Sequence, residues 1–350
     1  MLTNSELNLL HDGAFIPAHP LALTEDKQLD EQHQRALTRY YMDAGVDGVA
    51  VGVHTTQFEI RDPNINLYEK VLRIAIEEIE NQNAQKPFLK VTGICGHTEQ
   101  AIKEAKIAKD LGYNLGLLSF GGLGHLTEEA LLQHSEEVAK IIPIFGFYLQ
   151  PAVGGRELSF QFWKRFTEIQ NVHAIKIAPF NRYKTLDVVR AVCHSSRNKE
   201  IALYTGNDDN IVIDLLSNYQ IRVGGKTISK QIVGGLLGHW AVWTENAVNM
   251  FQQLKNARKN GDDVTPYLSL ANEVTDANAA FFDTANNFKG CIAGINEVLR
   301  RQGLLKGNWC LLDSEKLSVG QTAEIDRVYK EYAHLHDDKF VEKNLQKWLK

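Results

Sequence analysis

The chain has 350 residues, enough for one large domain or two ordinary ones with full cores. A formal net charge of −5 and the lack of any basic tract argue against a generic binder of nucleic acids or other polyanions. Its four scattered cysteines have neither metal-site nor disulfide spacing, and the sequence contains no signal-peptide pattern and no apolar run long enough to span a bilayer. We therefore expect a cytoplasmic globular protein with no nucleic-acid or membrane partner.

Short apolar segments alternate with amphipathic stretches over the first two thirds of the chain. The apolar segments predict strands at 13–17, 47–53, 88–93, 114–119, 142–148, 172–177, 201–205 and, least clearly, 220–228. The stretches between them predict helices at 28–44, 64–82, 98–111, 127–140, 156–169, 183–196 and 208–218. Strands separated by helices indicate a parallel sheet, and eight of them favour a closed (β/α)8 TIM barrel. The competing doubly wound sheet is disfavoured because no G-x-G-x-x-G follows the first strand.

After about residue 232 the strand signals stop and only helical patterns follow. They lie at 236–257, 264–283, 285–303 and 322–347, and 304–321 is predicted to be a surface excursion. Aromatic residues spread among them are typical of a core or an oligomer interface rather than a cofactor site: Trp240, Trp243, Phe251, Phe281, Phe282 and Trp309. We expect residues 1–232 to form the barrel and residues 233–350 a C-terminal helical bundle packed on it.

A lysine, Lys176, lies within the apolar run HAIKIA that Pro179 ends. Its ammonium either reaches water along the side chain or is buried with a lowered pKa, and the run alone favours the first alternative. Chemistry in a barrel occurs where strands end, and Tyr148 ends the fifth predicted strand as Lys176 ends the sixth. A desolvated amine beside a phenol is what imine chemistry on a 2-oxo acid requires, since the amine attacks the ketone and the phenol shuttles protons.

Other groups fall at the same strand ends, and each has a structural alternative. His54, Thr55 and Thr56 follow the second strand, and His54 is either catalytic or a histidine packed at the barrel rim. Asp208 either contacts substrate or caps the next helix. The twelve histidines show no metal-ligand spacing, so we expect no metal and no other cofactor.

Three further features have a structural reading that we favour over a functional one. Arg156 and Arg182 could supply a cation for an acidic substrate tail, but solvated surface charge is the stronger reading of each. The glycine pairs at 224–225 and 234–235 could form a phosphate-binding nest, although no basic pattern nearby supports it.

Six fragments, in order, resemble the dihydrodipicolinate synthase / N-acetylneuraminate lyase family of Schiff-base-forming (β/α)8 enzymes over roughly residues 13–300. They are IPAHPLALTEDKQLDEQH, AGVDGVAVGVHTTQFE, GHTEQAIKEAKIAKDLGYNLGLL, FYLQP, AIKIA and YTGNDD. The last three resemble the family's Tyr-Asn-x-Pro segment, its lysine strand and its Gly-x-Asp loop. The resemblance implies that Lys176 forms the imine, that Tyr148 is the acid/base, and that Gly206 and Asp208 contact substrate.

The loop after the second strand departs from the family's Gly-Thr-Thr-Gly-Glu pattern. Ungapped alignment puts His54 at the proton-relay threonine and Thr55 at the carboxylate-binding threonine, whereas a shift of one residue aligns Thr55 and Thr56 with the pair. The second relay tyrosine and a carboxylate-binding arginine are also absent, because SFGGLGH and QPAVGG occupy their places. These departures argue against the dihydrodipicolinate synthase reaction and favour a relay through His54.

Two hypotheses follow from the sequence. The first is a Schiff-base lyase, aldolase or dehydratase that acts on pyruvate or another 2-oxo acid. The second is a non-catalytic 2-oxo-acid binding or sensor protein that keeps the lysine pocket but has lost the proton relay. In either case the resemblance implies a homo-oligomer, a dimer or a tetramer.

Overall fold

Strands and helices alternate along the chain in the computed structural model, which describes residues 2–82 and 86–350. The strands are β1 Phe15–Pro17, β2 Gly48–Val51, β3 Leu89–Ile94, β4 Leu115–Leu118, β5 Ile144–Leu149, β6 Val172–Ala178, β7 Ala202–Thr205, β8 Asn218–Val223 and β9 Lys226–Leu237. The helices up to β8 are α1 Asn4–Asp12, α2 Glu31–Ala44, α3 Tyr68–Asn81, α4 Thr98–Asp110, α5 Glu128–Ala139, α6 Phe160–Phe166, α7 Arg182–Cys193 and α8 Ile211–Leu216. Those after β9 are α9 Thr244–Asn260, α10 Tyr267–Phe281, α11 Cys291–Arg301, α12 Gln321–Glu331 and α13 Asp338–Trp348.

The chain forms two units that interleave along the sequence. The strand-rich unit comprises Met1–Ala14 and Pro87–Leu236, and the second unit comprises Phe15–Lys86 and Leu237–Lys350. The predicted division into residues 1–232 and 233–350 stays a prediction. No helix in the described part of the chain is long and apolar enough to cross a membrane.

In the strand-rich unit, β3, β4, β5, β6, β7 and β9 are successive parallel neighbours. The helices α4 to α8 follow the strands in turn along the chain, as the alternation predicts. The register aligns Phe147 with Lys176 and Lys176 with Tyr204 across β5, β6 and β7. Because paired residues of parallel strands share a face, these three side chains lie on one face of the sheet.

The predicted strand at 220–228 is wrong in its bounds, since this stretch contains a hairpin. β8 pairs antiparallel with the first half of β9, and Gly224 and Gly225, with φ of 54° and 80°, form the turn between them. β9 then runs past residue 232 and pairs with β7 through Ile232, Gly234 and Gly235. The two glycine pairs therefore serve a turn and a strand, and the phosphate nest is not formed.

The helix α1 was not predicted, although the sequence contains its start signal. Thr3 and Glu6 form a capping box, in which the Thr3 hydroxyl accepts from the Glu6 backbone N–H and the Glu6 carboxylate accepts from the Thr3 N–H. The Tyr204 hydroxyl ties the end of this helix to the sheet, because it donates to Leu10 O at 2.8 Å and accepts from Ala14 N at 3.1 Å.

In the second unit, β1 and β2 are joined by a parallel bridge between Ala18 and Ala50. The predicted core role of the aromatic residues is confirmed for Trp240, Trp243, Phe251, Phe281 and Phe282, all of which are buried. Trp240 stacks on Phe15 with ring centroids 3.8 Å apart. Trp309 is only partly buried.

The helix predicted at 322–347 is two helices, α12 and α13. The chain leaves the helix between them and buries Asp337, whose carboxylate accepts from Tyr40 Oη at 2.7 Å, Gln302 Nε2 at 2.8 Å and Glu245 N at 3.0 Å. Neither glycine nor proline marks this break. A buried carboxylate needs hydrogen-bond donors of this kind, and a continuous helix would move the Asp337 carboxylate away from them.

Candidate active site

Lys176 lies near the end of β6 and is buried, with 8% of its surface exposed. Burial lowers its pKa to about 8, and the negative charge of Asp208 acts in the opposite direction. The alternative in which the ammonium reaches water is therefore wrong. With a pKa of about 8, about one amine in ten is uncharged at pH 7, far more than for an ordinary lysine.

Two neighbours fix the Lys176 side chain along its length. The ammonium lies over the Phe147 ring, 4.4 Å from its centroid, which is a cation–π contact. Gly206 lies against the aliphatic stem, because a Cβ added there would be only 2.4 Å from Lys176 Cε. The structure thus brings Gly206 to Lys176, and it adds Phe147, which the sequence did not single out.

Asp208 lies on the loop after β7, and this loop is held by a buried carboxylate on α8. Asp214 accepts hydrogen bonds from Thr205 Oγ1 at 2.8 Å and from Asn207 Nδ2 at 2.9 Å. Asn207 Oδ1 in turn accepts from Phe180 N at 3.1 Å, which joins the loops after β6 and β7. Asp208 is buried and directly follows Asn207, whose side chain is bonded both to Asp214 and to Phe180 N.

Arg156 and Arg182, the two candidate cations for an acidic substrate tail, form hydrogen bonds within the strand-rich unit. Arg182 Nη1 donates to Asp214 at 2.5 Å, and Arg156 Nη1 donates to Leu126 O at 2.7 Å and Leu123 O at 3.3 Å. Neither arginine is solvated surface charge alone, because Arg156 holds the loop after β4 and Arg182 links α7 to α8.

Tyr148 is not beside Lys176, contrary to the expectation that phenol and amine lie within reach. It pairs with Ile177 in the strand register, so it projects from the face of β5 opposite to Phe147. Its hydroxyl accepts from Leu158 N at 3.4 Å, and its ring packs on Trp163 of α6 with centroids 5.2 Å apart. Burial raises the pKa of this phenol, an effect that the Leu158 N–H opposes.

His54, Thr55 and Thr56 belong to the second unit, where they form a short 3-10 turn after β2. The Thr56 hydroxyl accepts from Gly52 N at 3.0 Å and donates to His19 O at 2.6 Å, so it holds the loop together. Thr55 Oγ1 is 3.4 Å from the same oxygen, and the half-buried His54 ring lies 5.9 Å from that of Phe58. Their predicted place beside Lys176 stays a prediction.

In the described residues no group of three or more His, Cys, Asp or Glu side chains could hold a metal ion.

The model of the dihydrodipicolinate synthetase family matches residues 13–332. The 4-hydroxy-tetrahydrodipicolinate synthase of Syntrophobacter fumaroxidans is 29% identical over 203 residues. That match covers 57% of this chain and 64% of the relative, which is less than two thirds of its length.

Solved structures of low identity show the same fold. A prophage protein of the dihydrodipicolinic acid synthase family from E. coli K12, in complex with pyruvate, has a TM-score of 0.73 at 18% identity and covers 91% of this chain and 98% of its own. N-acetylneuraminate lyase from Fusobacterium nucleatum has a TM-score of 0.70 at 17% identity and covers 92% and 99%.

These likenesses confirm the predicted (β/α)8 barrel with C-terminal helices. The family match extends over most of the chain, beyond the residues 13–300 on which the resemblance was seen. The chain therefore belongs to the dihydrodipicolinate synthetase family.

Proposed function

We propose that Lys176 forms an imine with pyruvate or another 2-oxo acid, and that the chain is a Schiff-base lyase, aldolase or dehydratase. The observation that carries the proposal is a buried lysine with a pKa of about 8 on β6 of this barrel. The uncharged amine attacks the ketone carbon, water leaves, and the protonated imine withdraws electrons from the neighbouring carbon. Because attack needs the uncharged amine, imine formation is expected to speed up as the pH rises towards about 8 and to level off above it.

A group that moves the proton from the carbon next to the imine is also required, and we assign it to Asp208. Its carboxylate is buried, its charge acts on Lys176, and its loop is anchored through Asn207 and Asp214. Tyr148, the group that the resemblance implies, faces α6 and is bonded to Leu158 N. A carboxylate close to the imine can take the proton directly, as a general base.

The reaction is proposed to differ from that of dihydrodipicolinate synthase, although relatives with that activity are similar to this chain. The changed residues at the relay threonine and second relay tyrosine support this, as does the bonding of Arg156 and Arg182 within the scaffold. Purified protein should therefore not condense pyruvate with aspartate semialdehyde. Efficient turnover of that pair would contradict this part of the proposal.

Borohydride trapping tests the imine itself. The intact chain is incubated with single 2-oxo acids and sodium borohydride and weighed by mass spectrometry. Each acid that forms an imine adds its own mass less one oxygen atom, since water is lost and two hydrogens are gained. A panel without any adduct would contradict the proposal, and the acids that give one identify the substrate class.

The second candidate, a 2-oxo-acid sensor without turnover, is favoured by the position of Tyr148. With the phenol on the outer face of β5, the lysine pocket lacks the proton donor that the resemblance implies. A sensor would give the trapped adduct but no product from any 2-oxo acid tested with aldehyde acceptors. Product formation excludes it.

We also propose that His54 relays protons, as the sequence predicts. His54→Gln should remove an ionisation between about pH 6 and 7 from the rate profile, because imidazole titrates in that range. His194→Gln, at the end of α7, is the matched control and should leave the profile unchanged. An unchanged profile in His54→Gln would show that another group relays the proton.

Phe147 should hold the pKa of Lys176 up, because a cation–π contact favours the charged amine. In Phe147→Leu, the midpoint of the pH dependence of imine formation should move down by about 0.4–1.5 pH units, the equivalent of a contact worth about 0.5–2 kcal/mol. The control is Phe145→Leu, which removes a ring on the same face that packs on Tyr204 at 5.0 Å. Equal midpoints in the two variants would show that the ring does not act on the amine.

We propose a cytoplasmic homo-oligomer, a dimer or a tetramer, as the working form. Light scattering after size-exclusion chromatography gives the mass directly, and a mass of 39.4 kDa would show a monomer instead.

A further inference from the structure

A row of uncharged amide side chains runs along one face of α9. The sequence NMFQQLKN places carboxamides at 249, 252, 253 and 256, and the spacing of three, four and seven residues puts them on one side of the helix. All four residues are exposed: Asn249, Gln252, Gln253 and Asn256. They belong to the second unit, whereas Lys176 belongs to the strand-rich unit.

These amides form the wall of a cavity in the second unit, which we call the amide groove. It has a volume of about 540 Å³ and is also lined by Met250, Leu270 and Val274. Its lining runs from the exposed amides to side chains in the core, since His239 is 3% and Val274 is 1% exposed. A cavity of roughly 300–1,000 Å³ that reaches the core is typical of small-molecule sites rather than of flat protein interfaces.

The far wall of the groove is held in place by hydrogen bonds. Asn246 Nδ2 donates to His334 O at 3.3 Å and to His336 O at 2.8 Å, which fixes the turn between α12 and α13 on α9. The His334 ring nitrogen Nε2 is 2.8 Å from the Glu273 carboxylate, so this histidine already has an acidic partner. The groove is thus formed before any ligand arrives.

The side chains that line the groove favour an uncharged ligand over an ionic one. Among the described residues that line the groove there is no Asp, Glu, Lys or Arg, and of its two histidines His239 is buried with a lowered pKa and His334 is paired with Glu273. A carboxamide offers two N–H donors and one oxygen acceptor without charge, which suits hydroxyl groups that both donate and accept. An ionic ligand would lose its hydration without gaining an opposite charge. The apolar floor of Met250, Leu270 and Val274 matches the C–H faces of a polyhydroxylated carbon skeleton.

We propose that the amide groove binds a neutral, multiply hydroxylated small molecule, a sugar or a polyol. The amides of α9 bond its hydroxyl groups and the floor packs on its carbon skeleton. This site is independent of Lys176 and of the reaction proposed for it.

The test uses the full chain and ligand-observed NMR with glucose, galactose and mannitol, each beside gluconate and glucosamine as charged analogues. At least one neutral compound should bind, and its charged analogues should bind at least about ten-fold more weakly. Failure of all three neutral compounds to bind, or tighter binding of gluconate or glucosamine, would overturn the proposal.

Two matched variants locate the binding. Gln253→Glu adds a negative charge to the groove at nearly constant size and should weaken the neutral ligand by about ten-fold or more. Gln133→Glu makes the same change at an exposed position of α5 in the strand-rich unit and should have no effect. Binding that responds equally to both variants, or to neither, lies elsewhere and also overturns the proposal.

Discussion

Replacing Lys176 by alanine is expected to abolish the borohydride-dependent mass increase with pyruvate and to remove turnover entirely. The step needs a primary amine that is uncharged near neutral pH and held where a ketone can meet it. Burial provides the first condition, and the contacts with Phe147 and Gly206 provide the second. Lys176→Arg should fail equally, because a guanidinium stays protonated in proteins.

The chain offers a control that separates position from pKa. Lys230 of β9 is also buried enough for its pKa to fall to about 8. Its ammonium, however, donates to Asn198 O at 2.5 Å and to Ile201 O at 2.7 Å, so two of its three N–H groups already have acceptors. Lys230→Ala should therefore keep the full adduct. An adduct that survives in Lys176→Ala and disappears in Lys230→Ala would transfer the imine to β9 and contradict the assignment.

The barrel was predictable from the sequence because the alternation of short apolar strands with amphipathic helices, and the helical repeat within each helix, can be read from neighbouring residues. Strands β1 to β7 and the helices between them lie where alternation and the helical repeat predict them, with ends that differ by a few residues. The burial of Lys176 was not predictable in this way, because the run alone favoured an ammonium that reaches water, whereas the structure buries Lys176 together with Ala174 and Ala178 on its face. The hairpin of β8 and β9 was missed because its half-exposed residues carry a weak apolar signal.

The face of Tyr148 was not predictable, because it depends on the register between two strands. Ile144 pairs with Val172, but Phe145 pairs with Ala174, so His173 is an extra residue in β6. Without this bulge Tyr148 would pair with Lys176 and share its face. A shift of one residue moves every later side chain of a strand to the other face. The alternation within β6 says nothing about which residue of β5 lies beside Lys176.

Asp208→Asn is expected to separate imine formation from turnover. Turnover should fall by about 10²–10⁴-fold, the usual loss when a general base is removed. The trapped adduct should persist at neutral pH, because loss of the carboxylate lets the pKa of Lys176 fall further and leaves more uncharged amine. Asp209→Asn is the control, since this neighbouring carboxylate is more exposed and lies 4.0 Å from Arg182. It should reduce turnover far less.

Tyr148→Phe tests the other candidate for proton transfer beside Asp208→Asn. Because the bulge in β6 turns Tyr148 away from the Lys176 face, this variant is expected to have a small effect on turnover. A phenol that faces α6 contributes a hydrogen bond to Leu158 N, so its loss should cost about 1 kcal/mol of folding stability and reduce turnover by less than about ten-fold. Denaturant unfolding measures the first effect and steady-state kinetics the second. If Tyr148→Phe instead loses turnover as Asp208→Asn is expected to, while Asp208→Asn stays active, the phenol must leave Leu158 and cross to the Lys176 face during the reaction. That result would return the proton transfer to the tyrosine that the family resemblance implies.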